Sequence, residues 1–318
     1  MTAPSAGPLT AAEAARFGPD DRALAERTLA ELESGLRTLP DKPEETTVSA
    51  LRALWLLAAG TAVSPAGALT TALPVLDEAQ RARLARFVAR RLGGTPLAHL
   101  TERQRFMGLE MLAGPGALIP RAETEIVAHA AIDVARALAA EVAAPVVVDS
   151  CTGSANVAAA VAHAVPSARV FASDLSADAV ALAERNIAHL GLAGRVQLRC
   201  GDLLAPFETP EFLGRVDLVT CNPPYISTAR TTQMASEIAE HEPRLAFDGG
   251  PLGVRILQRL VAEAPRLLRR GGWLAFEVGL GQAPSVAKRL AQGGAYADVR
   301  TVADHEGQPR VLVARYLG

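Results

Sequence analysis

The chain has 318 residues, more than one typical domain, so one large core and one smaller one are expected. With 32 basic against 34 acidic residues it has no overall electrostatic footprint for a polyanion, and nucleic acid is not expected as its direct target. Its three cysteines, Cys151, Cys200 and Cys221, lack paired short spacings and an accompanying histidine cluster, which argues against a disulfide framework and against any metal site.

Residues 1–20 are rich in alanine, proline and glycine and are expected to form a disordered leader. They hold no basic region followed by an apolar core, and no later stretch offers about 20 uninterrupted apolar residues, so a cytoplasmic protein without membrane contact is expected. Leu24, Leu29, Leu32 and Leu36 recur at helical spacing and predict a helix from Asp20 to about Leu39; further helices are predicted over Val48–Ala59 and Asp77–Leu92. In the last of these, Leu84, Phe87, Val88 and Leu92 make one buried stripe, while Arg81, Arg83, Arg86, Arg90 and Arg91 take the opposite, solvated face. Residues 21–95 thus read as a small helical domain that ends where Gly93, Gly94 and Pro96 break the helix. Residues 96–125 read as a linker in which weakly alternating Phe106–Leu112 pairs with Ala117–Ile119 as a hairpin. Pro120 to Glu125 then opens an alanine-rich helix reaching about Val142. There Thr124, with Glu123 and Glu125, either caps the helix or, with Arg121, lines the mouth of a ligand site.

Residues 126–318 read as one α/β domain. Strands are predicted at Val146–Val148, Arg169–Ala172, Val196–Arg199, Asp217–Thr220 and Trp273–Val278, with helices near Val157–Ala164, Ala177–His189 and Leu252–Leu268. Such alternation calls for a mostly parallel sheet with helices on both faces, and its ligand sits at the carboxyl ends of the strands. Tyr296–Val302 and Arg310–Arg315 fit a closing strand pair.

The stretch with most chemical content follows the Asp217–Thr220 strand: Asn222, Pro223, Pro224 and Tyr225. Two prolines remove two N–H donors and leave carbonyls free, Asn222 adds an amide with donors and an acceptor, and Tyr225 adds a flat ring. Such a corner can hold a planar nitrogen, the Asn222 oxygen and the Pro223 carbonyl accepting its N–H bonds while Tyr225 stacks on its plane. Asn-Pro-Pro-Tyr in this setting resembles the signature of class I S-adenosylmethionine-dependent methyltransferases that act on nitrogen. Asn222, Pro223 and Tyr225 are therefore the candidate catalytic residues. Arg121, Thr124 and Pro224 join them as candidate substrate contacts.

Three acids at preceding strand ends suit that cofactor. Asp149 leads a turn of small residues, Cys151, Thr152, Gly153, Ser154 and Ala155, where backbone N–H groups can approach a ligand. Asp174, followed by Leu175, ends the next strand about 20 residues on, where a carboxylate can accept the hydroxyls of a ribose. Asp202 stands where an adenine amino group can be taken, with Leu203 covering the ring. Each alone has a plainer reading, as a strand-to-helix connection, a helix cap or a surface turn. Together with Asn222 they read as an S-adenosylmethionine site, with S-adenosylhomocysteine as product.

With these residues in view, the chain is similar to the HemK-type protein-glutamine methyltransferases. The resemblance runs through Gly94–Leu100, Leu118–Glu125, the turn after Asp149, Asn222–Tyr225, Glu242–Gly250, Gly271–Gly279, Gly281, Gln282 and the segment from Asp304 to Val311. It implies a Rossmann-like class I fold with a helical front domain, and methylation of a glutamine amide in a peptide-chain release factor at a Gly-Gly-Gln motif. Glu277, near the last strand, is either structural, the favoured reading, or lines the pocket. The family's turn carries glycine where this chain has Cys151 and Ala155, and proline where it has Ala122. A Cβ at 151 or 155 is harmless if φ there is negative and weakens the site if φ is positive. These departures keep two alternatives open, the same transfer to another protein glutamine, a nucleobase or a small metabolite, and a binding module without cofactor.

Overall fold

The computed structural model describes residues 8–318, which divide into two compact units, the first ending at Gly114 and the second running Pro115–Gly318. The first unit carries α1 (Ala11–Arg16), α2 (Pro19–Gly35), α3 (Thr47–Ala58), α4 (Pro65–Thr70), α5 (Glu78–Leu92) and α6 (Leu97–Thr101), then the strands β1 (Arg103–Phe106) and β2 (Leu109–Leu112). Its core forms around Leu51, Leu54 and Trp55 of α3, and Phe17 stacks on the Trp55 ring at 5.6 Å between centroids.

The expected disordered leader over residues 1–20 lies outside the described residues for its first seven positions, and the rest carries α1 and the start of α2. Thr10 caps α1 by accepting from the Glu13 N–H at 3.3 Å while its own N–H donates to Glu13 Oε2 at 2.7 Å, a reciprocal cap that the composition concealed. Glu13 is then buried against Arg52 of α3, with Nη1–Oε2 and Nη2–Oε1 both 2.8 Å. Burial pushes this carboxyl up, but Arg52 and the N–H groups of Leu73 and Thr10 bring it down to about 2. The helices α3 and α5 lie within a residue of their expected bounds, while α2 ends at Gly35, short of the expected Leu39. The solvated arginine face of α5 needs one correction. Arg91 is 2% exposed, because Nε and Nη2 both donate to the buried Glu45.

The hairpin is also corrected. β2 pairs antiparallel with β1, not with Ala117–Ile119, and the turn between them is Met107 and Gly108, with φ of 50° and 78°. Two successive left-handed residues make the tight loop whose twist matches that of paired strands.

The second unit holds α7 (Glu125–Glu141), β3 (Val146–Ser150), α8 (Asn156–Ala164), β4 (Arg169–Asp174), α9 (Ala177–His189), β5 (Val196–Cys200), β6 (Val216–Cys221), α10 (Thr228–Thr231), α11 (Ser236–His241), α12 (Arg255–Leu267), β7 (Leu268–Glu277), α13 (Ala283–Gln292), β8 (Tyr296–Ala303) and β9 (Pro309–Tyr316). Seven strands lie in the order β5-β4-β3-β6-β7-β9-β8. The first five are mutually parallel, and β9 runs antiparallel to both β7 and β8. Every residue of β6 is buried, as expected of a central strand covered on both faces. The chain steps outward from β3 through β4 to β5, then returns to add β6 on the other side of β3. At that reversal the connections leave in opposite directions and open a crevice above the carboxyl ends of β3 and β6.

Candidate active site

Asp149, at the end of β3, anchors the crevice floor. It is fully buried and accepts from Thr152 Oγ1 and Thr220 Oγ1, each at 2.6 Å, so it ties the following turn to β6. Burial pushes its carboxyl up to about 6 against the pull of these hydroxyls. The turn is further pinned by Thr152 N–H on the Ser173 carbonyl (2.9 Å) and Ala155 N–H on the Thr152 carbonyl (2.8 Å). Cys151, Gly153 and Ala155 have φ of 56°, 54° and 65°, so the turn passes three times through the left-handed region, and the Gly153 N–H goes to Asp174 Oδ2. The two Cβ-bearing residues therefore keep the left-handed path at a cost of roughly 1–2 kcal/mol each. The surroundings hold them there: Ala155 is fully buried at the start of α8, and Cys151 packs on the core cluster that holds Cys221.

Asp174 closes β4 with both oxygens held by backbone, Oδ2 accepting from Gly153 N–H and Oδ1 from Ser176 N–H, both at 2.9 Å. Burial raises its carboxyl. Each oxygen retains a further lone pair for a ligand hydroxyl. Asp202 is more exposed than expected of a base-reading group, and Arg259 Nη1 sits 3.0 Å from both its oxygens. Leu203 is buried with φ 50°, and its carbonyl accepts from Ser150 Oγ and Ser173 Oγ at 2.9 Å.

These groups surround a cavity of about 400 Å³, within the size range of small-molecule sites. Of the residues singled out from sequence, Asp149, Cys151, Thr152, Gly153, Ser154, Asp174, Leu175, Asp202 and Leu203 line it, and so do Arg121, Thr124, Asn222 and Pro224. Ala155, Pro223 and Tyr225 are not on its wall. Arg121 is not a free cation at the mouth. It is buried, its Nη2 lies 2.5 Å from Glu242 Oε1, and its Nη1 donates to the Ile119 carbonyl at 3.0 Å.

Thr124 stands at the N-cap of α7, but its side chain makes no capping bond there. Its Oγ1 instead accepts from Asn222 Nδ2 at 3.1 Å across 98 positions of sequence. With the Asn222 nitrogen so engaged, the amide oxygen is the end left to the cavity. The Pro223 carbonyl accepts no hydrogen bond among the described residues. Tyr225 turns from the expected stacking position toward the protein interior, where its hydroxyl donates to Glu277 Oε1 at 2.9 Å. The corner is clamped from below. A Cβ on Gly253 would lie 2.3 Å from the Tyr225 carbonyl oxygen, so only glycine allows that approach. Gln282 Nε2 donates to the carbonyls of Tyr225 (3.1 Å) and Gly253 (3.2 Å).

Sequence reasoning assigned no site role to Glu242, Gln282, Glu277 or Arg310. Glu277 is fully buried, and burial together with the Glu123 charge pushes its carboxyl up to about 7. Arg310 is buried beside it, 3.0 Å from Glu123 and 3.9 Å from Glu277. All four lie in the segments that carry the resemblance, and for Glu277 a carboxylate in an apolar strand was a further signal.

Comparison with known proteins bears on the whole assembly. Residues 147–242 match the family model described as a methyltransferase domain, and residues 35–101 match the PrmC N-terminal domain. Release factor glutamine methyltransferase of Streptomyces coelicolor is 41% identical over 234 residues, 74% of this chain and 80% of that protein. That of Bradyrhizobium diazoefficiens is 33% identical over 286 residues, 89% and 94% of the two chains. The chain belongs to the release factor glutamine methyltransferase family. At the level of fold alone, the hMettl16 catalytic domain superposes with a TM-score of 0.51 at 12% identity, covering 67% of this chain and 77% of that one. Cys151 and Ala155, where the sequence departs from the family's glycines, both have positive φ, the case in which their Cβ atoms are expected to weaken the site.

A methyltransferase domain of this fold implies S-adenosylmethionine, and the residues present fit it. A Cβ built on Gly153 meets nothing within 4 Å and would project into open space, so the turn has room for a ligand that approaches its backbone. Asp174 offers acceptors suited to a diol, and Leu203, Leu175 and Ile256 offer apolar surface to an aromatic base. Among the described residues no helix is long and apolar enough to cross a membrane.

Proposed function

We propose that this chain acts in the cytoplasm to transfer the methyl group of S-adenosylmethionine to the side-chain amide nitrogen of a glutamine in a peptide-chain release factor. The observation that carries the reading is the orientation of Asn222, whose nitrogen is committed to Thr124 and whose oxygen is left to the cavity beside three acidic strand ends. The cavity wall at residues 151–154 would hold the amino-acid part of the cofactor, Asp174 its ribose, and Leu203 with the Asp202 segment its base. Bound there, the cofactor supplies an electrophilic methyl on a sulfonium.

An amide nitrogen is a weak nucleophile because its lone pair is delocalised into the carbonyl. The Asn222 oxygen and the Pro223 carbonyl accept its two N–H bonds, which fixes the amide plane and strengthens as positive charge develops on nitrogen. One N–C bond forms as the S–C bond breaks. The N-methylated amide, transiently cationic and a strong acid, then gives one proton to solvent, so no strong side-chain base is needed. Much of the acceleration comes from holding the two reactants in line.

Asn222→Ala should abolish transfer of radiolabelled methyl to a release factor carrying Gly-Gly-Gln, while calorimetry finds cofactor binding within about threefold of the parent, since the acceptor serves the substrate rather than the cofactor. Undiminished transfer by that variant would refute the assignment. Intact-mass analysis of the release factor, with the glutamine replaced as control, tests the substrate.

A further inference from the structure

We propose that Gln282 is a positioning residue for the methyl transfer, holding the Tyr225 end of the Asn222–Tyr225 corner so that the Pro223 carbonyl keeps its aim at the substrate amide. This deepens the reading above and rests on it.

Gln282 stands at the N-cap of α13, where a side chain ordinarily bonds the first N–H groups of its own helix, yet it makes no such bond. Its amide serves other segments instead. Oε1 accepts the Gly279 N–H at 2.9 Å, while Nε2 donates to the carbonyls of Tyr225 at 3.1 Å and Gly253 at 3.2 Å, 57 and 29 positions away. A donor facing one end and two acceptors facing the other leave the amide plane a single orientation. The side chain here must donate twice and accept once, which neither a carboxylate nor a hydrocarbon of the same length can do.

What Gln282 holds is one end of a stiff lever. Pro223 and Pro224 have fixed φ and no N–H groups, so the backbone nitrogens of the corner cannot tie it down. Its front end is fixed by the buried strand β6 and by Asn222 Nδ2, which donates to Thr124 Oγ1 at 3.1 Å. Its back end is crowded by backbone: a Cβ on Gly249 would stand 2.6 Å from the Pro224 oxygen, and one on Gly253 2.3 Å from the Tyr225 oxygen. Between the two ends the Pro223 carbonyl has no partner among the described residues, so its direction follows from where the ends lie.

The carbonyl oxygens of Tyr225 and Gly253 converge on one nitrogen. Without that nitrogen two like partial charges face each other and part, which swings the Tyr225 peptide and the lever with it. The Tyr225 ring stays anchored, because its hydroxyl donates separately to Glu277 Oε1 at 2.9 Å. Losing Gln282 therefore frees the peptide rather than unfolding the corner. Gln282 is absent from the cavity wall, so it acts through the corner and touches neither reactant.

The test is kcat, and KM for the release factor, at saturating cofactor over about pH 5.5–8, for the parent, Gln282→Met and Gln282→Glu. Gln282→Met keeps the length and gives up all three bonds. Its kcat should fall about 10- to 100-fold with KM within about threefold of the parent, by a factor that does not vary with pH. Gln282→Glu still accepts from Gly279, but its second oxygen meets the two carbonyls. Ionised, that carboxylate repels them; protonated, it donates to one. Facing two carbonyl oxygens, the introduced carboxyl holds its proton to higher pH than an ordinary glutamate, so the competent form is the one favoured by acid. Its kcat relative to the parent should be about 100-fold down near pH 8 and rise at least about tenfold as pH falls to about 5.5. Dividing by the parent removes the titrations common to both proteins.

A parental kcat in Gln282→Met, or a ratio for Gln282→Glu that stays flat with pH, would overturn the proposal. Independently of turnover, the Gly279 amide should exchange faster in Gln282→Met than in the parent, and an unchanged rate counts against the proposal. Should one variant fail to fold, the other decides alone; loss of the fold in both would make Gln282 a structural residue and reject the positioning role. Asn222→Ala in the same assay separates the two readings. If it stays active the functional reading fails, whereas if it is inactive while both Gln282 variants match the parent, only the positioning role fails.

Discussion

Glu242→Ala probes the brace that joins two walls of the cavity. The Glu242 carboxylate is fully buried; Oε1 meets Arg121 Nη2 at 2.5 Å and Oε2 accepts the Ile119 N–H at 2.9 Å, while Arg121 Nη1 returns to the Ile119 carbonyl at 3.0 Å. The variant leaves a buried guanidinium without its carboxylate and a buried backbone N–H without its acceptor. Breaking one side of a buried pair costs about 3–5 kcal/mol, a range that already includes part of the lost N–H bond. About 4 kcal/mol in a unit of this size should lower its thermal midpoint by roughly 8–16 °C. Because Leu118 and Arg121 on one side and Pro243 and Leu245 on the other line the cavity, cofactor affinity measured by calorimetry should fall as well. The sharper check is a double-mutant cycle. Arg121→Leu with Glu242→Leu removes both charges and should be less destabilised than either single variant. A Glu242→Ala loss below about 1 kcal/mol, or strictly additive single losses, would show that the brace is not the buried ion pair described here.

Three further outcomes follow from the same reasoning. The Asp149 carboxyl holds its proton more tightly folded, about 6, than at its ordinary 3.8, so its contribution to stability is full at low pH and is lost as pH rises through the folded value, by about 3 kcal/mol in total. The stability of the parent relative to Asp149→Asn should accordingly fall by about 2 kcal/mol between about pH 4.5 and 7.5 in urea titrations; a rise over that interval would contradict the sign. At Ala155, with φ 65° and no exposure, glycine should be tolerated within about 1 kcal/mol, since lost strain offsets the lost methyl and the freer unfolded chain, whereas valine should cost more than about 2 kcal/mol in the same titration. Arg52→Ala removes the partner of the buried Glu13 and three side-chain bonds to the carbonyls of Pro8, Ala68 and Thr71. At about 4 kcal/mol, amide exchange in α1–α6 should quicken by roughly a thousandfold, read by mass spectrometry.

Much of the second unit is legible in the chain because its information is local. Buried parallel strands are runs of valine, leucine and alanine, the helices between them repeat every three or four residues, and the acids fall where each strand must end. Pro223 and Pro224 can only stop a strand, so the corner at Asn222 follows from residue type alone. The α1 cap is equally local, yet alanine-rich composition hid it, and it gains its weight only when Glu13 reaches Arg52, 39 positions away.

What the sequence determined by itself is the order of elements, the parallel sheet and the row of polar groups at its carboxyl edge, because backbone hydrogen bonding and side-chain periodicity act between near neighbours. What only the tertiary structure decided is which polar groups meet. Arg91 is buried by Glu45, Arg121 by Glu242, Tyr225 is drawn inward by Glu277, and Thr124 serves Asn222 instead of its own helix. The left-handed φ of Cys151 and Ala155 belongs with these, since a turn locked between Asp149, Ser173 and Asp174 imposes a backbone that neither residue would choose alone. Such pairings depend on distances across the fold, and a buried charge or a strained φ persists only where those distances leave it no better partner.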